Sequence, residues 1–325
     1  MRATTLFRRA SIPCAGVALG FAALGNLLQT YSEALHSICG IVSLAFIVLL
    51  GGKLLCDRSY FRKAMDDPIQ ASVSGTLPMA FMLLSTYIAA VAYGFALVIW
   101  FAAICAHIAL IIWFTKRYFF EGFALKRVFA SYFIVYVGIV VASVSAPVYG
   151  MQALGNVAFW FGLICFILLF VLVSWRYVKI PEPTQASRPI FCIYAAPASL
   201  CVAGYVRSGE PSSLQAALVL LALASVIYVV VLLRLPSLLR LPFYPSYASF
   251  TFPFVISALA MKQTGAMALK VGATMSWISV VANVETVIAT LLCLYVLVRF
   301  CGKLFGAFEV SKEQGSPDTN MESSR

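Results

Sequence analysis

The chain has 325 residues, of which 62% are hydrophobic and 11% charged, with a mean hydropathy of +0.95 and a formal net charge of +11. A soluble domain carries about 25% charged residues, so a single aqueous core cannot hide this much apolar surface. The positive excess is spread over six patches along the chain and not gathered in one cluster, which argues against a nucleic-acid partner.

A spanning helix needs roughly 20 apolar residues. The sequence predicts ten such stretches in chain order: 11–30, 35–55, 72–93, 95–115, 128–148, 152–175, 190–207, 212–234, 247–265 and 274–300. They are long apolar runs without strict alternation, so they read as helices and not as barrel strands. Residues 1–10 form a basic N-terminal segment. The run after Arg8 and Arg9 is long and nine more follow it, so it reads as a first span and not as a signal peptide. Residues 301–325 form a tail, polar and aperiodic from Ser311 onward, a composition that favours disorder.

The basic residues set a topology. Twenty of the 23 lie before the first segment, in alternate connections, or after the tenth; only Arg207, Lys262 and Lys270 lie on the other side. The positive-inside rule places both termini in the cytoplasm, which an even number of spans permits.

Five prolines fall in alternate apolar segments: Pro13, Pro78, Pro147, Pro197 and Pro253. The segments between them carry none. Proline removes a backbone hydrogen bond and bends a helix, and in lipid the freed carbonyl needs another partner. Two classes of helix are therefore expected: bent ones against protein or a water-filled path, and straight ones against lipid. The prolines are spaced by 65, 69, 50 and 56 residues, close to one helical hairpin. Five hairpins in a cyclic arrangement would put five bent helices inside and five straight ones outside. Pro13 and Pro147 lie near segment ends, where proline costs little.

The bent segments are rich in small and hydroxyl residues, among them Ser74, Ser199, Thr251 and Ser257. Hydroxyls at kinks can offer an anion weak donors, which suits conduction. The same residue types also favour helix packing, as Gly16 and Gly20 do with their small-xxx-small spacing. Glu285 and His107 are the ionisable groups deepest in spans. Both sit in proline-free segments, which suits a structural polar contact. The nine cysteines show no C-x-x-C spacing and read as small hydrophobes. No nucleophile–base pair or metal-ligand cluster points to an enzyme or a cofactor.

Four stretches carry a family resemblance: SIPCAGVALGFAALG (11–25), DPIQASVSGTLP (67–78), AAPASLCVAGY (195–205) and ASFTFPFVISALA (248–260). In this order the chain resembles the tellurite-resistance/dicarboxylate transporter family, which includes the plant slow anion channels. The resemblance covers about residues 11–300. It implies an all-α membrane protein of ten transmembrane helices, built as five hairpins in a quasi-fivefold array around a central pore. It also implies a homotrimer and a phenylalanine of the ninth helix that blocks the pore. The FTFP element places that residue at Phe252, with Phe250 as second choice. On its own terms an aromatic ring beside Pro253 can plug a narrow path by dewetting it.

The leading expectation is an anion channel or channel-like transporter in a bacterial inner membrane. It would pass small anions along the axis of the kinked odd helices. The alternative is a carrier for dicarboxylate, tellurite or sulfite working by alternating access.

Overall fold

The computed structural model describes residues 3–181, 184–208 and 213–306. They are 84% helical, and no strand occurs among them. The α-helices are α1 (Ala3–Arg9), α2 (Pro13–Leu28), α3 (Glu33–Cys56), α4 (Arg58–Met65), α5 (Pro68–Val73), α6 (Thr76–Ile88) and α7 (Tyr93–Thr115). They continue with α8 (Tyr132–Tyr136), α9 (Val140–Ser145), α10 (Gln152–Lys179), α11 (Ala195–Arg207), α12 (Leu214–Leu239), α13 (Phe252–Lys270) and α14 (Ser276–Phe305).

Eight helical stretches are long and apolar enough to cross a membrane. Two more apolar helices, Pro13–Leu28 and Val140–Tyr149, are shorter. Together they occupy the ten segments read from the sequence.

Burial divides these ten in alternation. In Gln185–Arg207, Pro245–Lys270 and Pro68–Ile88, 83%, 67% and 56% of the apolar window is buried. In the five proline-poor stretches that share is 28–39%. Nearly all of α2 and every residue of α9 are buried as well. The outer helices instead expose rows of large apolar side chains, such as Ile41, Leu44 and Val48 on α3 and Val280, Val284 and Val287 on α14. An apolar face turned outward is the pattern of lipid contact.

The inner elements touch in sequence: α2 packs on α6, α6 on α9, α9 on α11, α11 on α13, and α13 on α2 again. Each outer helix packs against the inner helix before it and the inner segment after it, as α3 does between α2 and α6. Both described ends meet on one face, where the Arg9 guanidinium donates to the Leu304 carbonyl at 3.0 Å.

Four of the five inner segments are interrupted, not bent, whereas α2 runs unbroken from Pro13 to Leu28. Residues 185–194 and 245–250 are 3₁₀-helical, followed by α11 and α13. The third segment breaks at Ser74–Gly75 between α5 and α6, and the fifth breaks between α8 and α9. Pro78 and Pro197 are the third residues of their helices and Pro253 the second. First-turn N–H groups have no intrahelical partner in any helix, so proline costs little there. The expected kink is thus a helix start. The proline-free expectation for the even segments also needs correction: α12 runs past 234 and contains Pro236. The tail begins later than expected, because α14 continues to Phe305. The disorder expected from Ser311 falls outside the described residues.

Outside the spans, α4 ties the basic face together. Asp57 caps α4 by accepting from the Tyr60 amide at 3.1 Å. The Ser59 hydroxyl and the Lys53 ammonium hold its carboxyl below the usual range. The Tyr60 hydroxyl accepts from the Ile12 amide at 3.0 Å at the start of α2, and burial pushes its phenol upward.

Candidate functional site

Two cavities lie inside the ring. The first, of about 330 Å³, opens toward the face that holds Arg9 and Leu304 and is bordered by all five inner segments, four of them broken. Pro13, Gly16, Gln70, Gly138, Pro197 and Pro253 are on its wall. The second, of about 360 Å³, lies toward the opposite face and is bordered by Asn26, Thr86, Ser145, Arg207 and Gln263, with His36 from α3. Each cavity is bordered by all five inner segments.

The cavities meet at Leu200 on α11 and Phe252 on α13, the two residues that border both. Both are almost fully buried. Two apolar side chains thus lie on the walls of both hollows.

The position of Phe252 follows from the break before it. Thr251 has φ −98° and ψ −87°, outside the helical range, so the 3₁₀ turn ends there and α13 begins at Phe252. The Thr251 hydroxyl donates to Ala248 O at 2.7 Å and lies 3.2 Å from Gly16 O. A side chain on Gly20 would overlap Thr251, so glycine lets α2 lie against this junction. The two 3₁₀ segments are also linked: Ser246 Oγ donates to Ala186 O at 2.6 Å and Ser249 Oγ to Pro189 O at 2.5 Å.

The residues singled out in the sequence divide. Phe252, Pro13, Pro197 and Pro253 border a cavity. Phe250 does not; it is fully buried, its ring 4.8 Å from that of Tyr247. Pro78 and Pro147 are half-buried and border neither cavity. The hydroxyls of Ser74 and Ser199 donate back to Ala71 O and Ala195 O at 2.6 and 2.9 Å. Thr251 is spent on the junction, and Ser257 faces Glu285 of α14. A hydroxyl that donates to its own backbone is satisfied without a ligand, and none of these four residues borders either cavity.

Glu285 and His107 are buried away from both cavities. His107 Nε2 is 2.9 Å from Val135 O. Residues that the sequence did not bring forward are Leu200, Asp67, Gln70, Asn26 and Gln263. Asp67 and Gln70 lie in the DPIQ motif, but nothing in the sequence marks Leu200 among so many leucines.

An all-helical bundle with long apolar helices, lipid-type outer faces and a hollow axis is a multi-pass membrane protein of the transport class. The chain belongs to the SLAC1 family, described as voltage-dependent anion channel, whose model matches residues 10–301. No curated protein matches it. Membership makes it an anion channel or transporter of a membrane.

Proposed function

We propose that the ten apolar segments form five hairpins around one axis, and that small anions pass along it through a pore closed at Phe252 and Leu200. The observation that carries this reading is the pair of cavities, each bordered by all five inner segments and meeting at those two side chains. The walls carry amides, hydroxyls and few full charges, which suits an ion that must leave as easily as it binds. The channel reading is preferred over a carrier for dicarboxylate, tellurite or sulfite. The meeting point of the cavities is apolar, whereas alternating access needs a binding site there.

The basic face, with both termini, is the cytoplasmic one in this reading, in a bacterial inner membrane. The outer apolar helices face lipid and the partners of a homotrimer. Bilayer currents of the purified protein under a salt gradient test the function. The reversal potential should follow the anion; a potential that follows the cation, or electroneutral exchange, contradicts it.

A further inference from the structure

The two cavities differ in charge. Among the described residues bordering the first, the one charged side chain is Asp67, at the mouth beside α5. Its Oδ1 accepts from the Gln70 amide at 2.8 Å. The one permanently charged residue bordering the second is Arg207, the last residue of α11. Arg207 is half-buried, and its Nε donates to the Val144 carbonyl at 3.4 Å. Among the described residues no carboxylate lies within ion-pair distance of it. The neutral amides of Asn26, Gln29 and Gln263 border the same cavity. His36 also borders this cavity; its ring stacks on Tyr87 at 3.9 Å, with Asn26 Oδ1 3.2 Å and Glu33 Oε2 3.7 Å away. Glu33 itself is largely exposed and off the wall.

Resting on the pathway proposed above, we infer that Arg207 loads small anions into the cavity on the face opposite Arg9 and Leu304. Paired with Asp67 beyond the constriction, it gives the path a preferred direction. A guanidinium stays ionised at every accessible pH and is more weakly hydrated than an ammonium, so it can draw an anion from water. Among the described residues Asp67 is the one charge on the other cavity's wall and disfavours an anion resting there, although the face around it is basic and Lys303 lies 3.5 Å from Ser11 Oγ on the same wall. Anions thus pass more readily from the Arg207 cavity to the Asp67 cavity than in reverse.

Single-channel chloride currents in the Phe252→Ala background test this, recorded at about 0.01 M and about 1 M salt, where the Debye lengths are roughly 30 and 3 Å. At low salt the current–voltage curve should be asymmetric. Arg207→Gln should cut the larger limb about fivefold, since a unit charge ~4 Å away is worth ~1 kcal/mol in water. The loss should shrink at high salt. Asp67→Asn, which keeps the helix cap, should raise the smaller limb. Arg207→Lys should retain most of the asymmetry.

The inference is overturned if Arg207→Gln conducts as its parent does at low salt, or if Arg207→Lys loses as much as Arg207→Gln. Absence of chloride current from the Phe252→Ala parent itself overturns the pathway reading and this inference with it. The parent recording therefore separates the two failures.

Discussion

The Thr251 hydroxyl lies 3.2 Å from the Gly16 carbonyl, across a contact between the ninth apolar segment and the first. Those two segments are 235 residues apart in sequence and close the inner ring. The contact exists because Gly20 has no side chain to strike Thr251. Gly20→Ala should therefore destabilise the folded protein by about 1–3 kcal/mol, the usual cost of overpacking. Thermal unfolding in detergent reads this. An unchanged midpoint would mean that the ring does not close at this junction.

Glu285 and His107 are predicted to support packing and not conduction. His107 is fully buried on α7, its ring beside Gly138, and Glu285 faces Ser257. His107→Ala should cost about 2–4 kcal/mol through loss of a buried ring and its hydrogen bond. Glu285→Gln should change stability or assembly while leaving anion selectivity unaltered. A large selectivity change in a folded variant would place either residue on the path.

Much of this architecture is legible in the sequence because the bilayer imposes it. Apolar runs of spanning length mark the ten segments, and prolines mark the buried ones, since a break in the backbone is tolerated only against protein or a cavity. The conformation at each proline is not legible. Pro197 and Pro253 start helices after 3₁₀ turns, a choice set by tertiary bonds such as Ser249 to Pro189. Side-chain direction is not legible either. Ser199 and Thr251 sit in the right segments, yet their hydroxyls serve their own backbone. Leu200 is one residue from Ser199, and only the fold turns it to the axis.

Both termini should report from the same side of the membrane, the cytoplasmic one. Arg9 bonded to Leu304 joins the two ends, and most basic residues lie in connections on that face. Reporter fusions at each end check this; opposite sides, or a periplasmic signal from both, would contradict the topology.

Leu200 should contribute to closure but less than Phe252, because its side chain is smaller and lacks a ring. Leu200→Ala should raise anion conductance modestly, and combined with Phe252→Ala should raise it beyond either change alone. Bilayer recordings of the three variants check the order. A Leu200→Ala protein that folds and conducts no more than the parent would remove Leu200 from the constriction.

The most direct measurement is the anion current of Phe252→Ala against that of the parent in a planar bilayer. Phe252 borders both cavities, so truncating it should join them without adding a charge. The account predicts a folded protein whose anion conductance rises well above the parent while cations stay excluded. If Phe252 were ordinary core, its truncation would cost about 3–5 kcal/mol, expression would fall, and no current would be gained. That second result, or opening by Phe250→Ala and not by Phe252→Ala, would contradict the gate assigned to Phe252.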